Sequence, residues 1–532
     1  MNNFLEENMI KKLMLAACLC CSLAGYAQQK AKMSQLEASM RKLTMAQFAI
    51  EGLYVDSVDI VKLTEDAING MLSKLDPHSS YTNPEDTKKM NEPLQGNFDG
   101  IGVQFNMLED TLLVIQPVPK GPSDKVGIIA GDRIVMVNDT AIAGVKMSRE
   151  EIMRRLRGPK NTTVKLGIKR MGVPDLMDFV VTRDKIPVTT LDAAFMVTPT
   201  VGLIRLNSFG ASSHKEMLEA MEKLRHQGMK DLILDLQQNG GGYMDAATDI
   251  ANEFLDRNDL IVYTKGRSVP NSEYKADGRG SFRDGRVVVL VDEYSASASE
   301  IVTGAIQDQD RGWVVGRRTF GKGLVQKPFI LPDGSMIRLT ISRYYTPCGR
   351  CIQRPYTKGD KQKYDQDLLS RYNHGELIHA DSIHFPDSLK YKTLRKGRTV
   401  YGGGGIMPDY FIPLDTTLYT AFHRNLSGKG AILQTSLKYI DSHRKALKRS
   451  YSTFADFDKK FEVPQDMLDL LMEEGEKVGV KPKDEEELNQ SLPQLKLQLK
   501  ALVARDLWDT SEYFQVMYST NNFVKKALEL LN

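Results

Sequence analysis

Cysteine is scarce in this sequence, five residues in 532, and three of the five crowd between residues 10 and 27. Only Cys348 and Cys351 remain for the rest of the chain, which excludes a disulfide-stapled scaffold. Tryptophan occurs twice, and no stretch after residue 27 reaches the roughly 18 apolar residues that cross a bilayer. Excess charge is missing too. The 71 Lys and Arg face 68 Asp and Glu, a net +3, so no broad basic face for nucleic acid is expected. The eight histidines form no HExxH-like pairing, and neither a metal nor a cofactor is expected. What is present is ordinary globular material, 41% hydrophobic and 26% charged. At about 100–200 residues per domain the length suggests roughly three domains.

The amino-terminal segment has the layout of a secretory signal. Lys11 and Lys12 precede the apolar run Leu13 to Ala24, and the small residues around Gly25-Tyr26-Ala27 suit cleavage, so residues 1–27 are expected to leave the mature chain. An uncleaved membrane anchor is the alternative. Leu15-Ala16-Ala17-Cys18 also resembles a lipoprotein processing box, but only two apolar residues separate it from the lysines, which is too short an apolar region. The mature protein is expected to be extracytoplasmic, periplasmic in a bacterium, with no transmembrane segment. Cys348 and Cys351 form a C-x-x-C after the alternating strand Ile337 to Tyr345. Zinc would need two more ligands and a thioredoxin-like motif would open a helix, so a local disulfide or two inert thiols is expected.

Residues 28–90 read as a helical region, with Ile60, Leu63, Ala67, Ile68 and Leu72 at helical spacing. It ends at Leu75-Asp76-Pro77-His78-Ser79, where His78 reads as a capping or packing residue. Residues 91–187 change to short strands with Gly- and Asp-rich turns and one helix after Ser148, marked by Ser148-x-x-Glu151. Gly100-Ile101-Gly102-Val103 opens a strand, and Gly131-Asp132-Arg133-Ile134 runs into another. This module resembles a PDZ domain. The resemblance implies that the Gly100 to Val103 loop offers amide donors to a peptide's terminal carboxylate, while the peptide adds a strand to the sheet edge. A glycine-rich strand start without a ligand is the plainer alternative.

From residue 188 to about 350 strands and amphipathic helices alternate, the pattern of an α/β layer with parallel strand pairs. Residues 351–532 complete this core and then become mostly helical, with stripes such as Leu495, Leu499, Leu502 and Val503 that read as core.

Chemistry concentrates after the strand Val287 to Val291, in Ser295-Ala296-Ser297-Ala298-Ser299-Glu300-Ile301. Ala298, Ile301, Val302, Ala305 and Ile306 mark a buried helical face, so a serine stands at a strand-to-helix turn. There the free N–H groups of the helix can stabilise an oxyanion. Serines also simply cap helices, and no GxSxG elbow or histidine triad spacing surrounds Ser297. A base is offered by Gly321-Lys322-Gly323-Leu324-Val325-Gln326. Burial disfavours a charged lysine, and bringing one from about 10.4 to about 7–8 takes on the order of 4 kcal/mol of desolvation. In an extended segment Lys322, Leu324 and Gln326 share a face, so Gln326 can orient the amine.

SASASEI, and TFGKGLVQ with its lysine 25 residues after Ser297, resemble the carboxyl-terminal processing (tail-specific) proteases, as do the glycine loop of Leu234 to Gly242 and Leu75 to Tyr81. The resemblance covers about residues 45–345, PDZ module included. It implies a ClpP/crotonase-like α/β core with an inserted PDZ domain and helical amino- and carboxy-terminal regions. It also implies Ser297 as nucleophile, Lys322 as general base, Gln326 as its support, and the Ala298 and Gly241 amides as oxyanion donors. Asp308 matches a family position and reads as structural. Gln237 stands where the family commonly has Arg, and Cys348 where it has Ser. The expected partners are proteins or peptides with apolar C-terminal tails, and the family implies gating by the PDZ module and oligomerisation through the helical ends. The rival expectation is a PDZ-bearing scaffold or chaperone on a relict protease fold.

Overall fold

The computed structural model describes residues 33–532, and the expected signal segment with Cys18 lies outside the described residues. Residues up to Leu75 form one unit and Asp76–Asn532 another. In the first, residues 33–53 are helical. A second helix, Ile60–Leu72, starts where the Asp59 carboxylate accepts from the N–H groups of Val61 and Lys62 at 3.1 Å. Met33, Leu36, Met40 and Leu43 recur at helical spacing and are all exposed. Among the described residues no helix is long and apolar enough to cross a membrane.

The second unit begins with a strand, Ser80–Thr82, and the helix Pro84–Gln95. A six-stranded antiparallel sheet follows, in the order 103–108, 111–117, 133–137, 163–169 and 177–182, with the short strand Thr140–Ala141 paired to 133–137. Ser148 caps the helix Arg149–Leu156, accepting from Glu151 N–H at 3.2 Å. Ile152 and Leu156 of that helix close over Leu112, Val114, Ile134, Val164 and Leu166. Asn97–Gly100 pairs with Asp184–Pro187, so the chain enters and leaves this module through one two-stranded neck.

The α/β core follows. We label its elements β1 (Leu191–Met196), β2 (Val201–Leu206), α1 (Ser213–His226), β3 (Asp231–Asp235), α2 (Met244–Asn252), β4 (Val287–Val291), α3 (Ala298–Asp308), β5 (Trp313–Gly316), β6 (Leu324–Ile330), β7 (Met336–Tyr345) and β8 (Tyr410–Phe411). The main sheet runs β1-β2-β3-β4-β5-β8, antiparallel only between β1 and β2. Parallel strands buried on both faces need continuous apolar runs, and every residue of β4 is buried. One face carries α1, α2 and α3. The other is covered by the final helix, Asn522–Leu531, whose Phe523, Val524, Ala527 and Leu531 pack on Leu203, Ile233, Val288 and Leu290. β6 and β7 form a hairpin in a second sheet with Ser80–Thr82 and Leu260–Lys265.

α3 departs from the single buried face that its periodicity predicts, because all eleven of its residues are buried. Its small residues allow this. A Cβ on Gly304 would lie 2.7 Å from Thr346. At its far end Asp308 receives Arg350 at 2.7 Å and Cys348 N–H at 3.1 Å, with both side chains of the ion pair inaccessible to solvent. The structural reading of Asp308 therefore has a mechanism: it ties α3 to the Cys348 turn. Cys348 and Cys351 are free thiols. Burial pushes Cys348 up to about 12 and Cys351 also upward, so both are poor nucleophiles.

The helices after residue 420 build their own core around Phe422, Leu426, Ile440, Phe457, Leu471, Leu495 and Leu499. One of them, Ala431–Ser450 (α4), also grips the antiparallel module. Leu433 and Leu437 pack on Leu108, Leu113 and Ile115. Around them Asp441 pairs with Arg133, Lys438 with Glu109, and Gln434 donates to Met107 O at 3.0 Å.

We predict that Asp308→Ala, by stranding Arg350 without its counter-charge, lowers unfolding free energy by about 3–5 kcal/mol in chemical denaturation. A loss below about 1 kcal/mol together with abolished activity would instead make Asp308 a functional group.

Candidate active site

Two loops and a hairpin converge at the carboxyl ends of β3 and β4. After β4 the carboxylate of Asp292 accepts from Ser295 N–H (3.1 Å), Tyr294 N–H (3.0 Å) and, across the gap, Gln238 N–H (3.0 Å). The three serines then separate by function. Ser295 Oγ donates to Leu236 O and Ser299 Oγ to Asn239 O, both at 2.8 Å, so these two bind the serine turn to the glycine loop. Ser297 faces a cavity instead. Its backbone sits at φ 57°, ψ −111°, a conformation ordinarily left to glycine that costs on the order of 1–3 kcal/mol.

The glycine loop presses against that strained residue. Gly241 has φ +100°, and a Cβ there would lie 2.9 Å from Ser297 Cβ and 2.7 Å from Ala296 O. Only glycine permits the approach. The Gly241 N–H, expected to be free, donates to Asn239 Oδ1 at 2.9 Å. The N–H groups of Ala298 and Gly242 have no partner among the described residues.

Glu300 holds the strained turn in place. It is wholly buried, and its two oxygens take four donors: Thr319 Oγ1 at 2.5 Å and Gly321 N–H at 2.8 Å on one, Ser297 N–H at 2.9 Å and Lys322 N–H at 2.8 Å on the other. One carboxylate thus fixes the backbones of both residues. Burial pushes it above the usual carboxyl range while its donors push it down. Four filled acceptor positions are the pattern of the ionised form. Tyr344, also buried, reaches Ser297 O at 3.0 Å and Lys322 O at 2.5 Å from the other side.

Lys322 lines the same cavity, of about 460 Å³, with Ser297, Ala298, Gly241 and Gln326. Burial holds its ammonium below the usual lysine range and Arg338 adds to this, while Glu300 and Asp76 act against it. β6 begins only at Leu324, so Lys322 stands outside the strand, and an irregularity between Val325 and Gln326 interrupts the simple alternation that the extended reading supposes. Leu324, Val325, Gln326, Pro328 and Ile330 all line the cavity. Gln326 Nε2 is buried without a partner. His78 meets Tyr364 Oη at 2.8 Å, and burial with the nearby Lys322 pushes it down to about 3. It is therefore neutral, a packing residue as expected.

The Gly100, Ile101, Gly102 and Val103 loop lines a separate, small groove of about 70 Å³ with Phe105, Met153 and Leu156. Gly102 has φ +71°, and Arg157 stacks over Phe98 at 4.6 Å while paired with Glu92 at 2.5 Å.

Residues 200–362 match the model of peptidase family S41 and residues 100–180 that of the PDZ domain. Residues 11–86 match the N-terminal domain of the activating protease CtpB, and residues 422–509 a family of unknown function. The carboxy-terminal-processing protease of Bartonella bacilliformis is 37% identical over 306 residues, 56% of this chain and 69% of the relative. The carboxy-terminal processing protease CtpA of Bacillus subtilis is 33% identical over 340 residues, 62% and 70% of the two chains. This chain belongs to the carboxy-terminal processing proteases, the serine-type peptidases of family S41. Among solved structures, the photosystem II D1 C-terminal processing protease is 30% identical, over 58% of this chain and 89% of that one, with a TM-score of 0.33.

Glu300, Tyr344 and Arg338 are absent from the sequence-derived set. Glu300 had a usable signal, since Ser297-x-x-Glu300 is the spacing at which a helix's third residue reaches back to its cap. Arg338 had none.

Glu300→Ala strands four donors and is expected to cost about 3–5 kcal/mol of stability and about a hundredfold in peptide cleavage. Glu300→Gln turns an amide NH2 towards two of those donors and is expected to lose activity similarly. Full activity and unchanged melting in Glu300→Gln would refute the clamp.

Proposed function

We propose that this family member is an extracytoplasmic endopeptidase that captures apolar C-terminal tails in the Gly100–Val103 groove and cuts with a Ser297–Lys322 dyad. The observation that carries the reading is the convergence of strained Ser297 and buried, charge-disfavoured Lys322 on one cavity, held by one carboxylate. Neutral Lys322 takes the Ser297 proton as Oγ attacks the peptide carbonyl. The tetrahedral oxyanion is met by Ala298 N–H and a glycine-loop amide. Use of the Gly241 N–H requires exchanging its bond to Asn239 for the substrate oxygen, whereas the Gly242 N–H is unpartnered. Lys322 then protonates the leaving amine, and water, deprotonated by the same lysine, releases the acyl-enzyme. Gln326 would orient the lysine amine.

The parallel strands backed by α1 to α3 support the ClpP/crotonase-like reading of the core. Exposed Met33, Leu36, Met40 and Leu43 support oligomerisation through the amino-terminal helices. The five-part division at residues 27, 90, 187 and 350 stays a proposal, as does the secretory segment. The scaffold or chaperone alternative keeps tail binding without cleavage.

Cleavage of an unfolded protein with an apolar tail tests this. Ser297→Ala is expected to lower the rate by about 10³-fold or more while tail binding persists. Activity depends on unprotonated Lys322, so it is lost as pH falls through that group's depressed pKa, below the ordinary lysine range. Equal cleavage by wild type and Ser297→Ala would remove the nucleophile assignment. Cleavage by neither would favour the scaffold, and a rate flat down to acidic pH would remove the lysine base.

A further inference from the structure

Arg338 is the one charged side chain on the wall of the catalytic cavity other than Lys322. It stands mid-strand on β7, opposite Pro328 of β6 and Ser80 of the short neighbouring strand, and is half-buried. The other buried or half-buried arginines nearby are matched: Arg317 by Glu293, Arg350 by Asp308, Arg354 and Arg371 by Asp367. Arg338 has no carboxylate and no hydrogen-bond partner for its guanidinium among the described residues. Half-buried and without a protein partner, its guanidinium is open to the cavity and free to take a ligand there.

The acidic groups near the cavity cannot complete it. Glu300 has both oxygens filled by four donors. Asp76 is held by Ser79 Oγ at 2.6 Å, Thr340 Oγ1 at 2.8 Å and the N–H groups of His78 and Ser79. The rest of the wall is mixed, with Asn91, Gln95, Tyr243 and Gln326 beside the apolar Leu94, Met244, Leu324, Ile330 and Met336, but it carries no carboxylate among the described residues. With Lys322 neutral, the cavity offers one guanidinium fork and no carboxylate to occupy it, a match for a planar carboxylate.

We propose that Arg338 is a specificity residue of the catalytic cavity, there to bind a carboxylate carried by the substrate close to the bond that is cut. The carboxylate has two sources, an Asp or Glu side chain within the chain or a free C-terminus. The proposal rests on the reading of Ser297 as nucleophile. It adds that apolar residues are favoured in combination with one nearby negative charge. Arg338 has a second effect through Lys322, which is faced by Arg338, Glu300, Asp76 and His78. Guanidinium repulsion favours the unprotonated amine, so removing Arg338 moves the acid limb of the rate profile to higher pH.

The test compares wild type, Arg338→Met and Arg338→Lys on three fluorogenic peptides of one apolar sequence. The first carries Glu beside the scissile bond with an amidated end. The second carries Gln there with an amidated end, and the third Gln with a free carboxylate close to the bond. Wild type is expected to prefer one or both carboxylate peptides over the neutral one by about tenfold or more in kcat/KM, mainly through KM. The carboxylate peptide preferred identifies the source. Arg338→Met is expected to bring that ratio near one and shift the acid limb upward, and Arg338→Lys to restore part of the preference. Equal treatment of all three peptides by wild type, or an unchanged ratio in Arg338→Met, overturns the proposal.

The same peptides are titrated onto Ser297→Ala and Ser297→Ala/Arg338→Met proteins by fluorescence anisotropy, with melting curves to verify folding. Should wild type cut none of them, the Ser297 reading fails. A tenfold binding preference lost with Arg338→Met would still uphold the carboxylate site, and a preference that persists would overturn it. Should Arg338→Met fail to fold, Arg338→Lys decides in its place, a weakened preference upholding the site and an undiminished one overturning it.

Discussion

The catalytic geometry depends on one buried carboxylate. Glu300 lies three residues into α3, close to the positive end of the helix, where an anion is favoured. From there it accepts from the backbones of Ser297 and Lys322, which stand 25 residues apart in the chain. Ser297 alone would relax from its positive φ into an ordinary cap. The segment before β6 alone would be a flexible glycine-rich loop. Bound to the same two oxygens, each restrains the other. The strain of about 1–3 kcal/mol at Ser297 is offset by charge-assisted hydrogen bonds, each worth about 1.5–3 kcal/mol. The glycine loop completes the frame, since Ser295, Ser299 and Asp292 all reach it.

The PDZ module is fastened to this frame at two places of different character. The neck of Asn97–Gly100 and Asp184–Pro187 is a backbone ladder and joins the module covalently to the core. The second attachment is side-chain packing between α4 and the outer strands, rimmed by the pairs of Arg133 with Asp441 and Lys438 with Glu109. The residues matched to a family of unknown function thus have a definite mechanical relation to the groove. They grip the hairpin that includes Val103–Leu108, the strand a bound tail would extend. Small, partly polar interfaces of this kind open more readily than cores. Motion of the module therefore means breaking the α4 contact while the neck holds.

How much of this was legible in the sequence varied with the kind of interaction. Elements with an apolar signature, the continuous run of β4 and the helical spacing of Ile152 and Leu156, were readable because burial imposes that signature. Ser297 and Lys322 were readable as candidates because a strand-to-helix turn and a glycine-flanked lysine carry local signals. The full burial of α3 was not, since an apolar stripe reports one face and small polar residues hide the others. Arg338 was not legible for a different reason. On an alternating strand an arginine is an ordinary exposed residue, and only the fold turns it towards a cavity without a counter-charge. Gly241 shows the converse, because its glycine requirement was readable while the capture of its N–H by Asn239 was not.

The proposed use of lysine as base would set the charge balance of the cavity. A histidine titrates near neutrality without help, but here His78 is held neutral against Tyr364 and takes no part. A lysine must be pushed down by its surroundings, and two acidic groups nearby, Glu300 and Asp76, work against that. Both have structural work, one holding the backbones of Ser297 and Lys322 and the other folding the Asp76–Thr340 corner. Their fields are blunted because donors already occupy their oxygens. What remains to favour the neutral amine is burial together with an unmatched guanidinium on the facing strand. An unmatched guanidinium, which a folded core would ordinarily exclude, is thus what the proposed role of Lys322 as an uncharged base would call for. A substrate carboxylate on Arg338 would then offset that repulsion and leave less of Lys322 unprotonated, so tight binding of acidic residues and fast proton transfer pull in opposite directions.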